Sequence, residues 1–275
     1  MVLRLRLLAS PQVPLEVEGI TPDRLQDKTV AEIERLKIFH GNAQVALSDF
    51  FGVSGDASDE ILEWEGDLSG VHWIGAQMAS GTMRVLGDAG RHVGSEMTGG
   101  QILVDGNVSD WLGAEMHGGH LHVKGNAGHL VGAAYRGSAR GMTRGQILVD
   151  GDAGNEVGHT MRRGLVAIGG TVGDLVGFNM LAGTVLVLGE CGIRHGAGMR
   201  RGTLALLGRN PPPMLPSFRY ACRCQPIVMR VLLRHLMQMG FSTPDDLLAA
   251  SYCLYHGDLL EGGRGEILTS CSTAL

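Results

Sequence analysis

The sequence predicts an all-β fold, a right-handed parallel β-helix, and three observations carry that prediction. Glycines that close short apolar strands recur from Gly66 to Gly208, most of them 19 residues apart. Within each strand apolar and other residues alternate, which is typical of a strand with one buried face. The interval leaves no room for an ordinary helix, and a period of ~20 residues indicates stacked coils. Because parallel crossovers are right-handed as a rule, we expect a right-handed course of about seven to eight turns.

Residues 1–65 precede the repeat and predict a small α+β capping segment. Thr29-Val30-Ala31-Glu32 has the form of a capping box at the start of a short helix. An uncapped solenoid would expose its core and unpaired strand edges, so a cap is expected here.

Each coil, over residues 66–210, combines a strand with the pattern Gly-x-x-Gly-x-x-x-Gly. A methionine follows three residues after the last glycine, and stacking predicts an interior methionine ladder. Its expected members are Met78, Met97, Met116, Met161, Met180 and Met199. We interpret the glycines as structural, because no helical pattern follows them as it would in a phosphate-binding loop.

One interval, from Gly125 to Gly151, is seven residues longer than its neighbours. The extra chain lies within residues 135–142, and solenoids extrude such insertions as loops, often on the contact face. We therefore predict a projecting loop that contacts a partner through Arg136 and Arg140. A loop without a partner is the alternative.

The middle residue of each strand forms an outward column, which contains several large apolar side chains. Apolar groups stacked on an outer face usually mark an interface. We predict that Leu103, Leu148 and Leu186 are covered by a partner subunit or by the terminal segments of this chain.

Residues 211–275 begin with three prolines that end the repeat, and they predict a C-terminal cap with a helix over 226–239. Pro226 suits a first helical turn, and Gly240 supplies a C-terminal stop.

Composition limits the function classes. The formal net charge of −5 gives no reason to expect nucleic acid, and no apolar run reaches the ~18 residues of a membrane span. The five scattered cysteines argue against a disulfide framework or a structural zinc site, which favours the cytoplasm.

The histidines predict no catalytic or metal site. His120 and His122 flank the inward Leu121 and lack a third ligand, so a solvated or interface face is favoured over a metal site. His195 occupies an inward column, and we expect a structural histidine with a hydrogen-bond partner rather than a catalytic base.

Three arginines stand just before the glycine that opens a strand. These are Arg144, Arg163 and Arg201, which we call the arginine ridge. Two cations on adjacent coils, about 4.8 Å apart, repel by roughly 1 kcal/mol even in water. Solvated side chains, an acidic partner or an anionic ligand would each compensate this repulsion.

Two flanking segments carry a family resemblance. Phe50-Phe51-Gly52-Val53-Ser54-Gly55 and the segment from Tyr255-His256-Gly257-Asp258 to Gly265-Glu266-Ile267-Leu268 resemble the C subunit of formylmethanofuran dehydrogenase. The coils are similar, at the level of fold, to the C-terminal domain of the glutamate synthase large chain.

This resemblance implies a non-catalytic scaffold subunit in one-carbon metabolism. It occurs in a bacterial formyltransferase/hydrolase complex, with hydrolase and formyltransferase chains as partners, and in an archaeal molybdenum or tungsten dehydrogenase. The arginine-rich, lysine-poor composition favours the bacterial complex. The resemblance implies no cofactor bound by this chain itself, but a methanofuran-type carrier in the complex, whose glutamate-rich tail the arginine ridge would hold. An enzyme with its own site on the solenoid flank is the alternative of another class.

Overall fold

The computed structural model describes residues 2–271 and consists mainly of strands. Met1 and residues 272–275, which belong to the two predicted terminal segments, lie outside the described residues. One large mixed sheet contains 13 of the strands described, and a small sheet contains four. The all-β class that the sequence predicts is confirmed.

The N-terminal segment contributes strands to both sheets and two short helices. The helices are α1 (Pro22–Leu25) and α2 (Val30–Glu34), and the strands are β1 (Leu3–Leu7), β2 (Leu15–Glu16), β3 (Lys37–His40), β4 (Ala43–Ala46) and β5 (Phe51–Ser54). The capping box of α2 is present: the Glu32 carboxylate accepts a hydrogen bond from the Thr29 amide at 2.8 Å, and the Glu32 amide donates to Thr29 Oγ1 at 3.4 Å. β1 extends the large sheet by pairing with the first repeat strand.

The repeat contributes a run of parallel strands. They are β6 (Ile61–Glu65), β8 (Thr82–Leu86), β9 (Gln101–Val104), β10 (His120–Val123), β11 (Gln146–Val149), β12 (Leu165–Ile168), β13 (Thr184–Val187) and β14 (Arg201–Leu206), while β7 (Val71–His72) joins the small sheet. Equivalent residues of neighbouring units pair: Leu121 lies opposite both Ile102 and Ile147. The inward residues of these strands are buried in one apolar cluster.

A second contact joins successive units. Single-residue parallel bridges run from Leu68 to Cys191 through Ala89, Val108, Ala127, Ala153 and Val172. Each unit therefore touches the next both at its strand and at this bridge, which keeps the units in register along the stack.

The methionine ladder contains one more member than the sequence analysis assigned. The six expected methionines are fully buried, and so is Met142, which had been placed in the projecting loop. The Met142 amide donates to the Gly132 carbonyl, as the Met116 amide does to Gly113. Met142 thus completes the ladder in the inserted coil, and the exposed part of the loop is limited to residues 136–140.

The C-terminal segment folds back on the sheet. Its strands are β15 (Arg219–Cys224), β16 (Tyr252–Gly257) and β17 (Arg264–Ser270), and its helix α3 spans Ile227–Gln238. β17 continues the parallel run beside β14, and β16 and β15 follow antiparallel. α3 places Met229, Leu233 and Leu236 in one buried cluster with the outward column.

This cluster corrects the predicted partner interface. Leu148 and Leu186 are 0% exposed within the chain itself, so they are not available to a partner. The segment that covers them is the chain's own C-terminus, which was the second of the two alternatives. Leu103 lies farther along the column and keeps partial exposure.

The cysteine count argued against a disulfide framework, and the described residues contain one disulfide. Cys253 and Cys271 form a disulfide between β16 and the end of β17, where antiparallel pairing brings the two strands together. Between residues 2 and 271, no helix is long and apolar enough to cross a membrane.

Candidate functional site

The arginine ridge occupies one edge of the repeat strands. Arg144, Arg163 and Arg201 are all exposed, and strand register places Arg264 of β17 opposite Arg201. Within residues 2–271 none of the four forms an ion pair. The ridge therefore presents four uncompensated cations, one more than the sequence analysis assigned. Arg264 was missed because it lies outside the repeat and reaches the stack only through β17.

A groove lies beside the ridge and is lined by a second set of arginines. Its volume is about 630 Å³, and its basic lining residues are Arg140 of the inserted loop with Arg162 and Arg200 of the coils. Arg162 and Arg200 each follow a ladder methionine directly, so they are equivalent positions two coils apart. Glu261 closes one end, with its carboxylate 3.1 Å from Arg200 Nε.

The inserted loop is anchored at its start by an aromatic cluster. Trp73 and His92 stack with their ring centroids 4.1 Å apart, and the Tyr135 hydroxyl lies 3.1 Å from His92 Nδ1. Burial lowers the pKa of His92 to about 4 and raises the pKa of Tyr135 to about 12. At neutral pH both groups are therefore uncharged, and the Tyr135 hydroxyl donates a hydrogen bond to His92 Nδ1. The Tyr135 amide donates to the Glu115 carboxylate at 2.9 Å.

His120 and His122 each lie in a different environment among the described residues. His122 is buried and lies 2.9 Å from Asp150, which also pairs with Lys124 at 3.2 Å. Burial lowers the pKa of His120 to about 4, and its Nδ1 has no hydrogen-bond partner. Within residues 2–271 no three potential ligands converge as a metal would require.

His195 is buried in the last full coil, but the expected partner is not there. Both ring nitrogens lack a hydrogen bond within the described chain. The cap brings Phe218 and Ile267 to this coil instead of a polar group. Burial lowers the pKa of His195; the Gly192 backbone opposes this effect without reaching hydrogen-bond geometry.

Apolar side chains are exposed on the outer face of α3, whereas Leu148 and Leu186 of the sheet are buried beneath the helix. Ile227, Val228 and Val231 are 76%, 65% and 62% exposed. The surrounding chain is basic: residues 191–244 contain eight arginines and no acidic residue. Sequence reasoning missed this surface because it assigned the whole helix to the closure of the last coil.

Comparison with known proteins places these features in context. No family model matches the chain. Matching segments are 40% identical over 87 residues to the C subunit of the tungsten-containing formylmethanofuran dehydrogenase 2 of Methanothermobacter thermautotrophicus, and 42% identical over 80 residues to the C subunit of the molybdenum-containing formylmethanofuran dehydrogenase 1 of Methanothermobacter marburgensis. Over these segments the chain is similar to the C subunit of formylmethanofuran dehydrogenase.

These segments cover 30% and 29% of this chain, and only 32% and 20% of the two relatives. A solved structure matches far more of this chain. The X-ray crystal structure of the formyltransferase/hydrolase complex from Methylorubrum extorquens, in complex with methylofuran, contains a chain that is 29% identical with a TM-score of 0.90. That likeness covers 98% of this chain and 99% of the other.

Proposed function

We propose that the chain is a non-catalytic structural subunit of a formyltransferase/hydrolase complex. In this proposal the complex moves a formyl group from a tetrahydromethanopterin carrier to a methanofuran-like carrier and releases formate. The observation that supports it is the likeness to a chain of such a complex over 98% of this sequence. The cytoplasm and one-carbon metabolism are part of the same proposal.

The scaffold role rests on the repeat. We propose that residues 66–210 wind as a right-handed parallel β-helix between the caps 1–65 and 211–275. In-register parallel pairing and the second line of bridges support this course, and parallel crossovers are right-handed as a rule. Such a stack is a rigid spacer, because each coil is held by both its neighbours.

Two surfaces are proposed to contact partner chains. One is the α3 face, whose exposed apolar residues lie in a segment that carries Arg223, Arg230 and Arg234 and no acid. It therefore suits a partner surface that is both apolar and acidic. The other is the loop tip at 136–140, with Arg136 and Arg140, which the anchored Tyr135 holds in place.

The arginine ridge is proposed to hold the anionic tail of the carrier. Guanidinium groups form strong, charge-assisted contacts with carboxylates, and no ridge arginine forms an ion pair within the described residues. Carrier retention by the purified complex tests this, with Arg144, Arg163 and Arg201 each changed to Gln. Retention and salt sensitivity equal to those of the wild type would exclude the ridge as the tail site.

A second candidate is the C subunit of a molybdenum or tungsten formylmethanofuran dehydrogenase. The local identity to such a subunit, 42% over 29% of this chain, favours this candidate. The alternative of another class is an enzyme with its own site on the solenoid flank.

One purification experiment distinguishes the three candidate functions. The chain is purified with its native partners and alone, and both samples are assayed for formyl transfer and hydrolysis and analysed for metal. The proposal predicts activity in the complex, none in the isolated chain, and no molybdenum or tungsten. Activity of the isolated chain would support the enzyme, and stoichiometric molybdenum or tungsten the dehydrogenase.

A further inference from the structure

The groove beside the inserted loop has an unusual charge balance. Arg140, Arg162 and Arg200 line it, and Glu261 is the one acidic residue of the described chain that does so. Glu261 pairs with Arg200, whereas Arg140 and Arg162 form no ion pair within residues 2–271. Two positive charges therefore face the groove without an ion-pair partner among residues 2–271.

The neutral part of the lining is suited to an anion as well. Thr160 and Asn179 line the same groove and occupy equivalent turns, each with a left-handed backbone at φ 57° and 53°. In the earlier coils the same turn carries Glu96 and Glu115, at φ 57° and 52°. The acidic residues of this column thus end before the groove begins, and hydrogen-bonding amide and hydroxyl groups replace them.

The arginines are spaced for an elongated ligand. Arg162 and Arg200 are two coils apart, so their backbones are about 10 Å apart along the stack. Arg140 reaches the groove from the inserted loop, which the Tyr135 contact with His92 holds at its base. The Glu261 turn is fixed in a similar way, because buried Asp258 accepts hydrogen bonds from Gly198 at 3.0 Å and Leu260 at 3.0 Å.

We propose that this groove is a binding site for a multivalent oxyanion, a polycarboxylate or an oligophosphate. Arg140 and Arg162 bind the anion directly, and Arg200 joins them when it exchanges Glu261 for the ligand. Arginine suits this task because its planar fork donates two parallel hydrogen bonds to a carboxylate or a phosphate. The site is separate from the arginine ridge, and the inference does not depend on the proposed function.

The test is titration of the full-length chain with citrate and with tripolyphosphate, followed by calorimetry, with acetate as the monovalent control. We expect saturable binding of at least one multivalent anion, weakened by added salt, and none of acetate. Arg162→Gln should weaken binding about tenfold or more, the usual effect of losing a charge-assisted contact. Preference between the two anions identifies the ligand as a carboxylate or a phosphate.

Two further variants make the result specific. Arg6→Gln removes an exposed arginine of β1 that belongs to neither the groove nor the ridge, and it should leave the affinity within about twofold of the wild type, since its charge is exposed and screened. Glu261→Gln removes the carboxylate that competes for Arg200 and should tighten anion binding several-fold. A purely structural role of Glu261 would not tighten binding. No saturable binding, equal losses in Arg162→Gln and Arg6→Gln, or weaker binding in Glu261→Gln would each overturn the proposal.

Discussion

Replacing Leu186 by Ala should destabilise the chain far more than replacing Leu103, although both are middle residues of equivalent strands. Leu186 is 0% exposed beneath α3, whereas Leu103 lies beyond the buried cluster. The substitution removes three carbons, worth about 0.8 kcal/mol each when buried. The cavity that remains adds to this loss, so Leu186→Ala should cost about 2–5 kcal/mol. Leu103→Ala should cost about 1 kcal/mol or less, because part of its side chain is already in water.

Urea denaturation of the two variants measures this difference. If α3 covers the sheet as described, the unfolding midpoint of Leu186→Ala falls well below that of Leu103→Ala, at a similar slope. Proteolysis should also cut Leu186→Ala sooner in the chain that leads to α3, since the helix loses part of its support. Equal midpoints for the two variants would refute self-cover and return Leu186 to the partner interface.

Four other perturbations follow from the structure. Met142→Ala should cost about 2–5 kcal/mol in urea unfolding, because it opens a cavity in the ladder; a loss below about 0.5 kcal/mol would return Met142 to the loop. Deleting residues 135–141 restores the 19-residue interval, so the chain should still fold by circular dichroism but bind its partners less tightly in co-purification. Val231→Glu on α3 should leave the thermal midpoint unchanged and release a partner subunit on size exclusion; an unchanged assembly would count against that face. The folded chain holds His92 neutral, with a pKa of about 4 against an ordinary 6.5. Because the unfolded state binds more protons, the free energy of unfolding should fall as pH drops from about 6.5 to 4, and His92→Gln should reduce that fall.

The repeat was predictable because its signal is periodic. A 19-residue glycine spacing and alternating strands specify which residues point inward, and the structure buries Ile102, Leu121 and Ile147 accordingly. The capping box at Thr29 was equally predictable from the sequence, since it depends on contacts within four residues. Both signals are local or repeated, so one sequence suffices to detect them.

Contacts between distant segments were not predictable in the same way. The cover of Leu148 by α3 depends on how the chain returns after residue 211, and no local pattern encodes that path. The same is true of the Cys253–Cys271 pair and of Arg264 beside Arg201. The sequence predicts Met142 in the loop because the inserted segment extends to residue 142. The signal for the ladder was available: the regular ladder position after Gly132 is residue 135, and Met142 lies seven residues beyond it, the length of the insertion.

Of the two candidate sites, one could be predicted from the sequence and the other could not. The ridge at Arg144, Arg163 and Arg201 is a column of the repeat and was visible in the sequence. The groove was not, because Arg140 comes from the insertion and Glu261 from the turn before β17, and the fold alone brings them to Arg162 and Arg200. Its electrostatic character therefore depends on three segments far apart in the chain.

The most direct test of the proposed scaffold role is assembly with and without this chain. The formyltransferase and hydrolase chains of the source organism are co-expressed with and without it, and the mass of the product is measured by native mass spectrometry alongside formyl-transfer activity. The account predicts one complex that contains this chain, and loss of that complex when the chain is omitted, while each partner keeps its own catalytic competence. A complex of the remaining chains that still assembles, with unchanged formyl-transfer activity, when this chain is omitted would contradict the scaffold role.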